Sequence, residues 1–414
     1  MKPSRMSLRR ACAVAAAASV LAVPAVAGPA FAAAPAAQSV LAAPSPAPSP
    51  SADDSAFPEL TPAVAARLDD AVRETMRKAN VPGVIVGLWA PGKGSYVKAF
   101  GVADKQTGAP MTPDLYMRIG SETKTFTVTA LLRLVDQKKM NLDDTIGTYV
   151  SGVPNGDRIT LRQLAGMRSG LFNYANDDAF NKKLDTLPTS PFTPQQLLDY
   201  AYTHPVQFEP GAKFDYSNTN LILIGLAIEK VTGRPFQDVM RDEVLEPAGL
   251  RHTIFPTGEE FPAPHAHGYT AQTTSGSIED ATDLNPSWGW AAGAIISDLR
   301  DLRRWAGILA EGTLLTPATQ AERVKMLPIG IPGASYGLGI FDVNGWIGHD
   351  GSNPGYESLV VYLPEAKATM VILLNTDVLT EGKEPSAILG QAVTRVVTPE
   401  HVYPGPKPVA PGIN

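Results

Sequence analysis

The feature that most constrains the fold of this chain is the segment after Ser121, which is apolar on nearly every side of a helix. A helix with this pattern needs cover on all sides, so it predicts a buried helix at the centre of the protein. Lys124 follows Ser121 by three residues, and residues at this spacing share one helix face. The apolar residues are Phe126, Val128, Ala130, Leu131, Leu132, Leu134 and Val135.

The Ser121-x-x-Lys124 spacing fits a nucleophile and its base. A serine hydroxyl is a weak nucleophile until a neighbouring base takes its proton, and a buried lysine with a lowered pKa can be that base. Ser95 and Lys98 show the same spacing, but they lie in an alternating, strand-like run. Since residues i and i+3 of a strand point to opposite faces, that pair cannot act together. We therefore place the candidate nucleophile at Ser121.

Strand-like segments at both ends of the folded region enclose a helical middle. Helical patterns broken by Pro/Gly loops fill about residues 143–286, and a last helix covers about 385–397. This order predicts an α/β (α+β) fold in which an antiparallel sheet, flanked by helices, is formed from both chain ends and carries an inserted, mostly helical lobe. The domain is expected to span residues 58–398. The predicted strands are 84–90, 96–102, 346–349, 357–363 and 369–375.

The N-terminal residues predict export. Residues 1–32 combine a basic start, an Ala/Val/Leu-rich core and the small-x-small site Ala30-Phe31-Ala32, which is typical of a secretory signal peptide. Its apolar run is too short for a membrane span. Residues 33–57 are rich in Ala, Pro and Ser and predict a linker, and residues 399–414 predict an irregular tail. We expect a secreted protein without stable membrane insertion, exported by either the Sec or the twin-arginine route.

Charge and cysteine content exclude several functions. The net charge is −6, and the predicted signal peptide carries four basic residues and no acid, so the mature protein is more acidic still. This balance argues against nucleic-acid binding. Cys12 is the only cysteine and lies in the signal peptide, so the mature protein has no disulfide or cysteine metal site. The remaining predictions are no metal, no cofactor and a monomeric state.

A second motif, Tyr216-Ser217-Asn218, precedes another helix that is apolar almost all round, at about 221–231. A tyrosine there can act as general acid or base, and an asparagine amide can hold a substrate carbonyl. Tyr174-Ala175-Asn176 repeats the pattern in a polar loop. Because a catalytic group needs a rigid support, Tyr216 is the better candidate.

A third motif, His349-Asp350-Gly351-Ser352, follows a short predicted strand at 345–348. Its glycine permits close approach of a substrate backbone. If the fold brings them together, the backbone N–H groups of Ser121 and Ser352 can form an oxyanion hole.

The three motifs in this order resemble the penicillin-recognising serine hydrolases, in the branch of class C β-lactamases and actinomycete D-alanyl-D-alanine carboxypeptidases. The resemblance covers about residues 60–397 and implies a β-lactamase/transpeptidase-like fold and an acyl-enzyme mechanism without a cofactor. It implies that Ser121 attacks the carbonyl while Lys124 and Tyr216 exchange its proton. Tyr216, backed by His349, then protonates the leaving group.

The same resemblance implies that Asn218 orients the substrate and that Trp288 forms a wall of the pocket. Histidine at 349, where β-lactamases usually carry the lysine of Lys-Thr-Gly, is similar to the carboxypeptidases. It predicts a D-alanyl-D-alanine carboxypeptidase-like peptidase acting on cell-wall-type D-peptides.

Two departures from the family pattern leave the substrate open. Carboxypeptidases of this type resemble one another in a cationic arginine where this chain has Phe341, and their usual threonine is Asp350. Losing a cation and gaining an anion both disfavour a substrate carboxylate. The alternatives are a D-amino-acid amidase or aminopeptidase, an esterase, a β-lactamase, or a penicillin-binding sensor without turnover. The expected substrate is accordingly a small peptide, amide, ester or β-lactam.

Two weaker signals are set aside. Gly333-x-Ser335-x-Gly337 has the spacing of a nucleophile elbow, but strand-like residues follow it where the elbow requires a helix. His265 and His267 could bind a metal, but no third ligand has suggestive spacing.

Overall fold

The computed structural model describes residues 57–186 and 188–403. The predicted signal peptide, the linker up to residue 56 and the tail from residue 404 lie outside the described residues. Phe57, at the end of the predicted linker, is buried in the core, and so is Tyr403 within the predicted tail. None of the helices among the described residues combines the length and apolar character needed to cross a membrane.

The predicted antiparallel sheet is confirmed, and it has eight strands built from both ends of the chain. The strand order is β2-β1-β12-β11-β10-β9-β8-β7. The two chain ends meet where β1 pairs with β12, with Val84 opposite Leu374. Strands in the described residues are β1 Gly83–Ala90, β2 Gly94–Gly101, β3 Met117–Arg118, β4 Tyr269–Thr270, β5 Glu279–Asp280, β6 Ile296–Ser297, β7 Leu327–Pro328, β8 Ala334–Tyr336, β9 Phe341–Val343, β10 Trp346–Asn353, β11 Tyr356–Leu363 and β12 Ala368–Leu374.

Helices cover both faces of the sheet, as predicted. Along the chain, a mostly helical lobe is inserted between the N-terminal and the C-terminal strands. Side chains alternate across β11: Glu357 meets the start of α11, whereas Tyr362 bonds to Glu311 at the end of α9. A π-helical turn joins α7 to α8. The α-helices are α1 Pro62–Ala79, α2 Thr123–Asp136, α3 Leu161–Ala165, α4 Asp178–Thr186, α5 Pro194–Tyr202, α6 Thr219–Thr232, α7 Phe236–Met240, α8 Glu246–Ala248, α9 Leu299–Glu311, α10 Pro317–Arg323 and α11 Pro385–Val397.

Helix α2 is the buried central helix that its sequence predicts. Every residue from Thr123 to Leu132 is buried, and the helix packs between α6 and the sheet. Phe126 stacks on Trp305 of α9 with ring centroids 4.0 Å apart. The indole N–H of Trp305 donates to the Thr125 hydroxyl at 2.8 Å, so the polar groups of this helix also have partners inside the core. The start of α2 is thereby held rigidly against the sheet.

One predicted boundary was wrong in a way that concerns the third motif. The strand predicted at 345–348 continues to Asn353, so His349 to Ser352 lie within β10. Gly and Asp are poor strand formers, so the strand-like pattern of the sequence ends before the third motif is complete. Pairing with β11 along the whole segment overrides these preferences, with His349 opposite Val360.

Candidate active site

Ser121 lies at the junction between the sheet and the central helix. It belongs to a 3₁₀ turn, Gly120–Glu122, that leads directly into α2. Gly120 adopts a φ of 52°, and a Cβ at this position would lie 2.6 Å from the backbone nitrogen of Ser352. Only glycine tolerates both this conformation and this contact. The chain can therefore press Ser121 against β10, which brings the first and third motifs together.

Lys124 and Ser121 form the pair that their spacing predicts. Lys124 Nζ lies 2.7 Å from Ser121 Oγ and donates to the Ala292 carbonyl at 2.8 Å. The lysine is fully buried, and this burial holds its pKa well below the usual value, although the charge of Asp350 opposes the shift. A lowered pKa increases the fraction of neutral amine near pH 7. That neutral amine can accept the proton of the serine hydroxyl.

Tyr216 completes this group from the start of α6. Lys124 Nζ lies 4.9 Å from the centroid of its ring. Burial of the hydroxyl raises the pKa of Tyr216 well above its usual value, and Tyr336 adds to the shift, while a hydrogen bond with Ser121 opposes it. The phenol therefore keeps its proton at neutral pH. This distribution makes Lys124 the candidate base and Tyr216 the candidate acid.

His349 does not support Tyr216 in the way the sequence predicts. Its Nδ1 lies 2.6 Å from the backbone oxygen of Asp350, which can only accept, so Nδ1 carries a proton. Its Nε2 lies 3.1 Å from the Tyr336 hydroxyl, and in the neutral ring it accepts from that hydroxyl. The ring is 6.2 Å from the ring of Tyr216, centroid to centroid. Its contact with Tyr216 is ring packing, and its hydrogen bonds go to other residues.

Tyr336 is a neighbour of the site that the sequence did not single out. It lies on β8, and its position opposite Phe341 on the next strand brings it to His349. Burial raises the pKa of Tyr336, so it remains a proton donor. The Tyr336-Gly337-Leu338-Gly339 stretch was visible in the sequence, but nothing in it indicates which strand it pairs with.

Ser121 and three more of the predicted residues line a narrow pocket of about 10 Å³. Asn218, Trp288 and Ser352 line it together with Ser121. Gly351 permits this close approach, because a Cβ there would lie 1.9 Å from the Ile119 carbonyl oxygen. The structure thus brings all three motifs to one place.

Two further residues with polar side-chain atoms line the same pocket. Tyr174, the alternative to Tyr216, donates its hydroxyl to the Trp288 carbonyl at 2.7 Å, which gives it a structural bond. Asn353 follows the third motif, and its side-chain nitrogen donates to the Gly293 carbonyl at 3.1 Å. In the sequence, Asn353 is indicated as a site residue only by its position directly after the third motif.

A second, larger pocket of about 230 Å³ is lined by Tyr216. Asp350 and Glu384 are its acidic residues, and within residues 57–186 and 188–403 no lysine or arginine lines it. The Asp350 side chain is 36% exposed, so it can reach a ligand. The other lining residues are aromatic or aliphatic apart from His349: Phe214, Tyr216, Ile329, Ile331, Ala334, Tyr336, Phe341, Val343, Ala387 and Tyr403. The pocket is therefore apolar with a negative patch.

The signals set aside above have ordinary structural surroundings. Lys98 lies on β2 and pairs with Asp69 at 2.5 Å. Ser335 lies on β8 and is followed by another strand. His267 pairs with Asp280 at 2.8 Å. Within residues 57–186 and 188–403, no group of three or more His, Cys, Asp or Glu side chains is placed to hold a metal ion.

Glu122, next to the nucleophile, should make stability depend on pH. It is fully buried, and burial raises its pKa well above the usual value. A raised pKa contributes stability that is complete below the unfolded-state pKa and is lost as pH rises through the folded-state pKa. We expect Glu122→Gln, which does not titrate, to lose less stability than the wild type as pH rises above 4.5, the ordinary pKa of a glutamate.

Thermal unfolding followed from pH 4.5, the ordinary pKa of the group, to about pH 9 measures this difference. A change of about 1 kcal/mol is the size expected for one buried polar group. Glu259→Gln, at an exposed position, is the matched control and should follow the wild type. Equal pH dependence in Glu122→Gln and the wild type would show that Glu122 does not hold an extra proton in the folded state.

Comparison with known proteins agrees with this site. The sequence model of the family described as Beta-lactamase matches residues 68–393. The Bacillus subtilis (strain 168) protein PbpX, named as a penicillin-binding protein, is 26% identical over 281 residues, which are 67% of this chain and 66% of PbpX. The chain spans less than two thirds of the length of the curated relatives it matches, here 66% and, for Protein flp of Staphylococcus aureus (strain MW2), 62%.

Two solved structures are similar over most of their length. The D-stereospecific amidohydrolase from Streptomyces sp. is 32% identical with a TM-score of 0.70, over 75% of this chain and 94% of that one. The D-amino acid amidase from Ochrobactrum anthropi SV3 is 30% identical with a TM-score of 0.67, over 76% and 91%. With the three motifs assembled at one site and the family match covering most of the folded region, the chain belongs to the β-lactamase family of penicillin-recognising serine hydrolases.

Proposed function

We propose that this protein is a secreted serine hydrolase that cleaves D-amino-acyl amides and esters through an acyl-enzyme on Ser121. The observation that carries the proposal is the pocket beside Tyr216, which contains Asp350 and Glu384 and has no lysine or arginine among the described residues that line it. A terminal carboxylate placed about 4 Å from one such acid would lose about 1–4 kcal/mol, depending on solvent screening. An uncharged or cationic group meets no such repulsion.

The similar structures support the choice of acyl group. Two solved neighbours at 30% identity or more are named as a D-stereospecific amidohydrolase and a D-amino acid amidase. Such substrates lack the leaving-group carboxylate of a D-alanyl-D-alanine peptide. A free amino group on the substrate could pair with Asp350, and the apolar walls of the pocket suit a hydrophobic group.

In this proposal each residue has a defined role in acylation. Lys124, as the neutral amine, takes the proton of Ser121 while Oγ attacks the acyl carbon. The N–H groups of Ser121 and Ser352 stabilise the oxyanion. Tyr216 donates its proton to the leaving nitrogen or oxygen as the bond to the acyl carbon breaks, and Lys124 then returns a proton to Tyr216.

The carboxypeptidase predicted from the third motif is the main competitor, and it requires a cation that the part of the lining described by the structure does not provide. A β-lactamase and a sensor without turnover differ from the proposal in deacylation rate. The monomeric state and the secreted location stay predictions.

A substrate panel tests the proposal. We expect D-phenylalanine amide and a short D-amino-acyl ester to be cleaved, and a D-Ala-D-Ala peptide to be a poor substrate. Asp350→Asn should improve the peptide relative to the amide by roughly five- to several-hundred-fold, because it removes the repulsion of the carboxylate. The measurement is kcat/KM for each substrate with the wild type and the variant.

Two controls make the panel specific. L-phenylalanine amide tests stereospecificity, and Asp157→Asn removes an exposed acid outside both pockets. Turnover of the D-Ala-D-Ala peptide with no hydrolysis of amides or esters would overturn the proposal in favour of a carboxypeptidase. Rapid turnover of a cephalosporin in the same panel would favour a β-lactamase.

A further inference from the structure

Two buried polar atoms belong to residues that line the narrow pocket beside Ser121, and neither atom has a hydrogen-bond partner among the described residues. They are the indole nitrogen Nε1 of Trp288 and the side-chain oxygen Oδ1 of Asn353. Both residues line the pocket, and each is at least 96% buried. Leaving a buried polar atom unpaired is costly, so such atoms at a site call for a ligand.

The hydrogen-bonding role of each atom is fixed by its surroundings. The Gly293 carbonyl can only accept, so the nitrogen of the Asn353 amide must face it and Oδ1 is left as an acceptor. The Trp288 backbone is held by the hydroxyl of Tyr174, and its indole nitrogen can only donate. Among the described residues that line the pocket, Trp288 therefore carries an unpaired donor and Asn353 an unpaired acceptor.

The size of the pocket selects the ligand. Its volume of about 10 Å³ is close to the smallest space that holds one water molecule, which needs two to four polar partners. A water molecule can accept from Trp288 and donate to Asn353 at the same time. An amine or an alcohol is larger than a water molecule, so this space favours water over those two kinds of acyl acceptor.

We propose that Trp288 and Asn353 position the water molecule that hydrolyses the acyl-enzyme, an inference that rests on the acyl-enzyme chemistry of the proposed function. The water oxygen forms a bond to the acyl carbon while one of its protons passes to Lys124. The bond from the acyl carbon to Ser121 Oγ then breaks, and Oγ takes the proton back from Lys124. Both residues are positioning residues for this water.

Partition of the acyl-enzyme tests the inference. The full-length enzyme is acylated with p-nitrophenyl acetate in the presence of glycinamide, and the ratio of N-acetylglycinamide to acetate is measured. Trp288→Phe removes the donor and nearly preserves the shape, and we expect it to raise the ratio roughly tenfold, the effect of one hydrogen bond. Asn353→Leu should raise it similarly, and the p-nitrophenol burst measures acylation separately in both variants.

Matched variants separate positioning from general damage. Asn353→Asp also loses the bond to Gly293 but keeps an oxygen acceptor, so it should hydrolyse better than Asn353→Leu. Trp346→Phe removes an indole N–H that donates to the His401 carbonyl outside the pocket, and its ratio should equal that of the wild type. A loss of stability alone does not move a product ratio.

The outcomes distinguish this inference from the proposed function. An unchanged product ratio in Trp288→Phe and Asn353→Leu overturns the water site. A slower burst with an unchanged ratio also overturns it, since the pair then binds the acyl donor. The expected ratios together with no cleavage of D-amino-acyl amides would overturn the substrate class and keep the water site. A wild type that p-nitrophenyl acetate does not acylate overturns both.

Discussion

Replacing Ser121 by alanine is expected to lower kcat by about 10⁴- to 10⁶-fold and to prevent formation of the acyl-enzyme. The substitution removes the hydroxyl oxygen that lies 2.7 Å from Lys124 Nζ, so the lysine has no nucleophile to deprotonate at that position. Intact-mass measurement after incubation with an activated ester or a labelled penicillin detects the acyl group directly. The wild type should gain its mass, and Ser121→Ala should not.

The chain supplies its own control for this experiment. Ser95 belongs to the second Ser-x-x-Lys sequence, on the edge strand β2, and Ser95→Ala should be acylated like the wild type. Melting temperatures of both variants verify that each is folded. Acylation of Ser121→Ala at the wild-type rate would assign the nucleophile to another residue and would exclude the mechanism proposed above.

Replacing Lys124 by arginine is the second substitution with a large expected effect. Burial lowers the pKa of Lys124, which allows the amine to act as a base. A guanidinium group stays protonated at every accessible pH, so Lys124→Arg keeps the positive charge and removes the base. We expect a loss of roughly 10²- to 10⁴-fold in the acylation rate, the usual contribution of a positioned base.

The pH dependence distinguishes loss of a base from loss of packing. In the wild type, activity should fall as pH decreases through the lowered pKa of Lys124, because protonation removes the lone pair. Lys124→Arg should show no such rise between pH 5 and 10, and Lys98→Arg on β2 is the matched control. Rates are taken from the burst of p-nitrophenol at each pH. A wild-type pH profile in Lys124→Arg would show that a group other than Lys124 takes the proton.

Much of the fold follows from local patterns in the sequence. The all-apolar segment after Ser121 predicted the central helix. The apolar run at residues 84–90 and the strand-like run at 96–102 predicted β1 and β2 to within two residues at each boundary. These patterns report burial directly, since a side chain's polarity reflects whether it faces water. The short strands β7 to β9 have no such pattern, because two or three residues are too few to show a period.

The candidate site divides in a similar way. The order and spacing of the three motifs identified Ser121, Lys124 and Tyr216, because these residue types fit one acyl-transfer chemistry. The partners of His349 could not be read from the sequence, because the Tyr336 hydroxyl reaches Nε2 only through the pairing of β8, β9 and β10. Likewise, Glu384 joins Asp350 in one pocket only because α11 begins beside the sheet.

The sequence by itself determined the class of fold and predicted the candidate nucleophile and its candidate base, since these depend on residue types and on spacings within single helices or strands. The tertiary structure decided the protonation roles and the pockets. Burial lowers the pKa of Lys124 and raises that of Tyr216, and burial is a property of the packed chain. Trp288 and Asn353 likewise line one narrow pocket although they are 65 positions apart in the sequence, and only folding brings them together.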